Sequence, residues 1–409
     1  MTQSTKPLLS EQTIEIVKAT VPLLQERGVD ITTRFYQIMF SEHPELLNIF
    51  NHTNQKKGRQ PQALANAVYA AAAHIEQLEV IVPVVKQIGH KHRSLGIKAE
   101  HYPIVGKCLL QAIKEVANAP QEVLDAWAEA YGVIADVFIQ VEAEMYKEAE
   151  QMAGGWKDFR TFVVTGKVKE SDVITSFYLK PQDGKALSSF QPGQYISVKV
   201  NIPGETHTHI RQYSLSDAPG KDYYRISVKR EDGSGDIPAG VVSNYLHSQV
   251  EKGDVLEITA PAGDFVLDTT TDRPVVLLSG GVGFTPLMSM FNTIVDSYPN
   301  RKVYYVHGAL NSKVQAMKDY LGLASKEFKN AEVYTCYSEP TEEDREARNY
   351  DKEGFIDLAW LQSIAPKEAD FYFCGPVPFM KQMNRILKEW GVEPQRIHFE
   401  FFGPAASLE

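Results

Sequence analysis

At 409 residues the chain is longer than one hydrophobic core ordinarily serves, which points to two or three domains. Apolar residues at 43% and charged residues at 23% are the balance of a soluble globular protein, and a formal charge of −10 excludes a general nucleic-acid binder, which needs a basic surface. Met1 to Gln12 is polar and carries no secretory signal, and the most apolar run, VVLLSGGVGF, is too short for a membrane span. Cys108, Cys336 and Cys374 share no disulfide or metal spacing, so a cytoplasmic protein without a structural metal is expected.

The first third has helical texture. Apolar residues at three and four spacing predict helices over Glu11 to Gln25, Ile31 to Phe40, Pro61 to Leu78, Pro83 to Leu95, Tyr102 to Ala117 and Glu122 to Glu150, an all-α domain over residues 1–150. Within the fourth of these, Val85, Ile88, His92 and Leu95 form one stripe. His90 falls off it beside Lys86 and Gln87 and reads as solvated, so His92 is the imidazole aimed into a core. The residues alone leave His92 either a satisfied core histidine or a ligand. On the last helix Tyr131, Ala135, Phe138, Glu142 and Met145 share a stripe, which turns Glu142 inward while Glu144 and Glu148 face away. A buried carboxylate needs a partner.

After Met152-Ala-Gly-Gly-Trp-Lys-Asp158 the texture changes. Short strands are predicted at Phe159 to Thr165, Ile174 to Lys180, Gln194 to Val200, His209 to Ser216, Tyr223 to Lys229 and Val255 to Ala260, the pattern of an antiparallel β-barrel over residues 151–268. From residue 269 onward, buried-strand runs at Val275 to Ser279, Val303 to His307, Val333 to Tyr337 and Phe371 to Cys374 alternate with helices, which implies an α/β domain with a parallel sheet of the nucleotide-binding kind. Pro274 to Pro286 reads as a buried strand, a turn with glycines at 280, 281 and 283, and a helix whose positive end suits a pyrophosphate. Pro286 stands where the GxGxxG fingerprint has its third glycine.

Arg211-Gln-Tyr-Ser214 on a barrel strand, the glycine turn, and Cys374-Gly-Pro376 closing a late strand resemble, in this order, the ferredoxin–NADP reductase superfamily. The resemblance covers residues 159 to 409 and implies FAD on the barrel and NADH or NADPH on the α/β domain. It assigns Tyr195, Arg211, Gln212, Tyr213 and Ser214 to FAD, with Val242 and Ser243 near its pyrophosphate, and Gly281, Val282, Gly283, Phe284, Thr285 and Pro286 to the nicotinamide dinucleotide. Phe401, Phe402, Gly403 and Pro404 would close over the flavin ring, with Glu400 beside it. Ala309-Leu-Asn-Ser312 offers no arginine for a 2′-phosphate and Tyr337-Ser-Glu339 places an acid there, which leans towards NADH.

The helical domain, with Tyr36, Phe50, Gln60 and Leu64 arranged around His92, looks like a globin, and its fusion to such a reductase resembles the flavohaemoglobins over essentially the whole chain. The likeness implies haem b with His92 on the iron and Lys91 beside it, Tyr36 and Gln60 on the distal side, Phe50 and Leu64 as walls, and Glu142 with Tyr102 behind the histidine. It implies nitric oxide dioxygenation: nitric oxide, O2 and NAD(P)H are consumed, nitrate is formed, and electrons pass from NAD(P)H to FAD to haem. The apolar distal pocket leaves room for a lipid, and a chain carrying its own cofactors is expected to act as a monomer. Two rival readings stand beside this one: an oxygen-binding or sensing haemoprotein kept reduced by its own flavin module, and a haem-free flavin reductase.

Overall fold

The computed structural model describes residues 9–50, 58–235, 238–403 and 408. The chain forms two compact units, residues 1–151 with 203–210, and residues 152–202 with 211–409.

The first unit is helical: α1 Glu11–Ala19, α2 Val21–Glu42, α3 Arg59–Ala73, α4 Val82–Leu95, α5 His101–Ala117 and α6 Gln121–Gln151. Two short 3₁₀ turns, Pro44–Asn48 and Leu78–Ile81, join them. The predicted helix from Glu11 to Gln25 is in fact two. Ser10 caps the first through the Thr13 amide, and the second starts at Thr20–Val21 because Pro22 supplies the fixed φ of an opening turn and has no N–H to give to the helix before it. The second then runs on unbroken through the predicted Ile31 to Phe40 segment. The third ends at Ala73, short of the predicted Leu78. Its core packs Val17, Ile31, Phe35 and Met39 against Trp127 and Ala130. Gly96, in the left-handed region at φ 79°, ends α4, and the amide of Ile97 returns to the His92 carbonyl at 2.9 Å. The last turn of α4, which carries His92, is therefore held by its own backbone.

The second unit starts with β1 Phe159–Lys169, β2 Ile174–Pro181, β3 Tyr195–Val200, β4 His209–Ser214 (which enters this unit at Arg211), β5 Tyr224–Lys229 and β6 Val255–Thr259, with α7 Val241–Gln249 between the last two. These six strands form one sheet in the order β4-β3-β6-β1-β2-β5. The outermost strands meet through the single bridge Leu215–Ile226, so the barrel is nearly closed. The α/β part follows: β7 Val275–Gly280, α8 Phe284–Ser297, β8 Val303–Ala309, α9 Lys318–Glu327, β9 Ala331–Tyr337, α10 Glu342–Ala347, β10 Lys352–Glu353, α11 Leu358–Ile364, β11 Asp370–Cys374, α12 Val377–Trp390 and β12 Ile397–Glu400. Its strands are parallel, in the order β10-β9-β8-β7-β11-β12. The winding reverses between β7 and β11, and a crevice outside their carboxyl ends is where such sheets bind ligands. One face of the sheet is covered by the core around Met288, Phe291 and Leu321, the other by Met380, Met383 and Leu387. Among the described residues no helix is long and apolar enough to cross a membrane.

Arg301 is the largest fully buried side chain of this unit. Its Nε donates to the Arg273 carbonyl at 2.8 Å and its Nη1 to the Asp268 carbonyl at 2.6 Å, and its Nη2 lies 3.6 Å from the buried carboxylate of Asp370. Arg301→Met leaves that carboxylate with the half-exposed Arg273 and a long 3.4 Å hydrogen bond from the Thr271 hydroxyl, and we expect a loss of about 3 kcal/mol. Urea unfolding of the variant checks this, and an unchanged midpoint contradicts it.

Candidate functional site

In the first unit His92 Nδ1 lies 2.7 Å from Glu142 Oε1 and 3.3 Å from the Tyr102 hydroxyl, and that hydroxyl donates to the same Glu142 oxygen at 2.7 Å. Three helices meet here: α4 brings His92, α5 Tyr102 and α6 Glu142. Glu142 is 3% exposed, and a carboxylate only accepts, so the imidazole proton sits on Nδ1 and Nε2 keeps its lone pair. The His92 side chain is 32% exposed. Burial, followed by the charge of Glu142, raises the Tyr102 phenol far above its ordinary range, so it stays a proton donor.

Close approaches make the cluster possible. A Cβ on Gly89 would come within 3.1 Å of Met145 Sδ and 3.6 Å of Glu142 Cγ, so glycine lets α4 and α6 touch beside the carboxylate. A Cβ on Gly106 would fall 2.5 Å from the Tyr131 ring, whose hydroxyl donates to the Tyr102 carbonyl at 2.7 Å. Neither glycine nor Tyr131 was singled out for this in the sequence; glycines inside two otherwise apolar helix faces were the available signal. His90, read as solvated, is half-buried, because periodicity along α4 does not register what neighbouring segments cover. Lys91 is half-buried immediately before His92.

Tyr36 is buried on α2 within an aromatic group, its ring centroid 4.8 Å from Phe35, 5.8 Å from Phe40 and 5.9 Å from Phe50. Leu64 packs against the same core. Gln60 is half-buried at the first turn of α3. The Thr32 hydroxyl, one turn before Tyr36, donates to the carbonyl of the adjacent Pro61 at 2.8 Å and seats the start of α3 on α2.

In the second unit Tyr195 is buried on β3, its ring against Gly263, where a Cβ would come within 2.9 Å. On β4, Arg211 and Tyr213 are half-buried, Gln212 is exposed and Ser214 is buried. Burial pulls the Arg211 guanidinium below its ordinary value. Val242 and Ser243 are buried in the first turn of α7, where the Ser243 hydroxyl donates to the Gly240 carbonyl and accepts from the Glu231 amide, both at 3.2 Å.

Gly281, Val282 and Gly283 form a 3₁₀ turn between β7 and α8, and Phe284, Thr285 and Pro286 open α8 as buried residues. The Thr285 hydroxyl donates to the Val282 carbonyl at 3.2 Å. Gly281 takes φ +52°, and a Cβ on Gly283 would sit 2.2 Å from the Cys374 carbonyl, so the two loops of the crevice touch backbone to backbone. Such a cradle suits a pyrophosphate. Glu400 ends β12 opposite Cys374, Phe401 packs into the core, Phe402 is exposed and Gly403 has φ +132°. Pro404 lies outside the described residues. Burial, with Glu400 second, pushes the Cys374 thiol well above its ordinary value, so it is no nucleophile.

Comparison with known proteins agrees with this architecture. The Globin family matches residues 33–138, the oxidoreductase FAD-binding domain residues 161–267 and the oxidoreductase NAD-binding domain residues 277–385. The chain is thus a globin joined to a flavin- and nicotinamide-type oxidoreductase module. A flavohemoprotein of Bacillus thuringiensis subsp. konkukian is 69% identical over 403 residues, covering 98% of this chain and all of that protein. A flavohemoglobin from Malassezia yamatoensis, solved with bound FAD and heme, is 27% identical with a TM-score of 0.83 and covers 97% of this chain and 100% of that one. The FAD/NAD-binding domain of a nitric oxide dioxygenase from Vibrio cholerae is 40% identical with a TM-score of 0.55, covering 61% of this chain and 100% of that one. The chain belongs to the flavohaemoprotein family.

One polar pair beneath the glycine turn was not anticipated. Ser279 Oγ lies 2.7 Å from Nδ1 of the buried His307, and burial lowers the His307 pKa to about 4. The unfolded chain, with this imidazole near its ordinary 6.5, binds a proton that the folded chain refuses. The resulting stability is fully present above pH 6.5 and is lost as pH falls towards 4, about 3 kcal/mol in all. Urea midpoints across that window for the wild type and His307→Gln check it: the variant should lose this part of the pH dependence, and parallel curves contradict the assignment.

Proposed function

We propose that the chain oxidises nitric oxide to nitrate with O2 and NAD(P)H, through a haem domain at 1–150, an FAD domain at 151–268 and a nicotinamide-binding domain at 269–409. The observation that carries this reading is the His92–Glu142–Tyr102 set. A histidine whose Nδ1 proton is given to a buried carboxylate is a stronger donor at Nε2, which favours a catalyst that activates oxygen over a carrier that stores it. The likeness to a nitric oxide dioxygenase from Vibrio cholerae over the oxidoreductase module supports the same reading.

FAD, when bound, would accept a hydride from NAD(P)H and release its electrons singly, and haem iron would supply the oxygen chemistry. His92 would hold the iron through Nε2, while Glu142 and Tyr102 fix the ring's tautomer and orientation. The Tyr36 hydroxyl, supported by Gln60, would donate a hydrogen bond to the substrate's oxygen, and Phe50 and Leu64 would exclude water. In the module, Arg211, Tyr213 and Ser214 with Gln212 and Tyr195 would hold FAD, with Val242 and Ser243 of the first turn of α7 assigned to its pyrophosphate. The segment from Glu400 through Phe402 borders the flavin, and Gly281 to Pro286 takes the dinucleotide.

Tyr36→Phe should keep haem bound, with an unchanged absorption spectrum, and slow nitric oxide consumption about tenfold or more. Full turnover in an oxygen- and nitric oxide-electrode assay would sink the distal assignment. Glu142→Gln should alter the ferric haem spectrum and lower turnover about tenfold or more while flavin reduction by NADH continues at the wild-type rate. An unaltered spectrum and turnover reject the proximal argument.

A further inference from the structure

The barrel and the α/β part of the second unit share an apolar seam in which Ile174, Phe265 and Leu267 lie in one core with Met290 and Phe291 of α8. Apolar contact is non-directional and leaves two surfaces free to slide. A polar cluster sits in this seam. Asp217, three residues beyond Ser214 on the chain leaving β4, is buried, and its carboxylate has a full set of donors. Oδ1 accepts from Asn292 Nδ2 at 2.7 Å and from the Ala218 amide at 2.8 Å. Oδ2 accepts from the Tyr223 hydroxyl at 2.8 Å and faces Arg225 Nη1 at 3.3 Å. The Asp217 carbonyl accepts from Ser289 Oγ at 2.7 Å. Asn292 is oriented in turn, since its Oδ1 accepts from the Tyr320 hydroxyl of α9 at 2.9 Å.

Ser289 and Asn292 both stand on α8, one and two turns after the glycine turn and Phe284–Pro286. All but two of the residues of α8 are buried, so a shift at Asn292 is carried to the helix start. We propose that Asp217, Ser289 and Asn292 form a latch that fixes the register between the strand assigned to the flavin and the helix assigned to the nicotinamide. They are positioning residues for hydride transfer, whose rate is sensitive to displacements of about 1 Å, on the order of a hundredfold. The inference rests on the flavin and nicotinamide assignments above. The neighbouring ion pair Lys221–Asp296, 3.0 Å across the same seam, is exposed on both sides and contributes little.

The test uses the FAD-loaded full chain with NADH, and rapid mixing reads flavin reduction in wild type, Asn292→Ala, Ser289→Ala, Lys221→Ala and the exchange variant D217N/N292D. The latch predicts that Asn292→Ala slows the limiting reduction rate about tenfold or more. NADH affinity should change less than about threefold and FAD content should stay at wild type, with the deuterium isotope effect from 4-deuterated NADH changed. Ser289→Ala should act in the same direction, Lys221→Ala should match wild type, and the exchange variant should recover part of the rate. On the cofactor-free protein, amide hydrogen exchange over residues 211–218 and α8 should rise in Asn292→Ala and fall back in the exchange variant. A wild-type rate in Asn292→Ala, or an equal loss in Lys221→Ala, overturns the latch alone. A wild-type protein whose flavin NADH does not reduce overturns the functional reading and the latch with it.

Discussion

Glu142 sets the terms for the first unit. A carboxylate that is 3% exposed is tolerated only when its lone pairs are filled, and one of its oxygens takes both the His92 Nδ1 proton and the Tyr102 hydroxyl. That shared oxygen ties three helices together at one atom. It also fixes which nitrogen of His92 is left to act, because two donors on one acceptor leave no other tautomer. Gly89 and Gly106 serve the same geometry: larger residues would push α4 or α5 off α6 and open the distances on which the arrangement depends.

The second unit rests on a different constraint, the reversal of winding between β7 and β11. Two loops leave that point side by side, and they approach so closely at Gly283 and Cys374 that only a glycine fits. The helix that starts there is buried over nearly its whole length, so the position of its first turn is set by what holds its flanks. Apolar packing supplies the bulk of that hold. The direction comes from the Asp217 cluster, whose donors and acceptors tolerate little displacement.

Much of this was legible before the structure. The helical stripe turns Glu142 inward, because burial on one face leaves a period in the sequence, whereas on α4 the stripe does not separate His92 from His90, both of which are half-buried. The strands of the barrel and the four long strands of the parallel sheet are readable for the same reason. What was not legible depends on contacts between distant segments or on elements too short to carry a period. β10 has two residues and β12 four. The touch of Gly283 on Cys374 and the pairing of Ser279 with His307 are each made by residues far apart in the chain. Asn292 is an intermediate case: an amide in the otherwise apolar run of α8 is a visible anomaly, yet its partner Asp217 lies just past the predicted strand His209 to Ser216, where no period marks it. The partnership of Glu142 with His92 came from family resemblance, since periodicity shows that a side chain points inward and not what it meets.

The same division of labour recurs at each place where the proposed chemistry needs accuracy. Thr32 on the Pro61 carbonyl seats α3 on α2 near Tyr36, Glu142 seats His92, and Asp217 seats α8, each a directional bond inside an apolar surround. Burial of apolar area is worth far more in total but is nearly indifferent to a small slide, whereas a buried hydrogen bond contributes about 1 kcal/mol, or about 1.5–3 kcal/mol to a carboxylate, and is lost with a small displacement. Stability and alignment are therefore separable in this fold. Trimming an apolar residue of a seam should lower stability and leave the approach of reactive groups nearly intact; removing one of these polar contacts should disturb that approach as well as stability. That separation is what the proposed passage of electrons through successive groups requires, because throughput would depend on a few distances and persistence on the whole core.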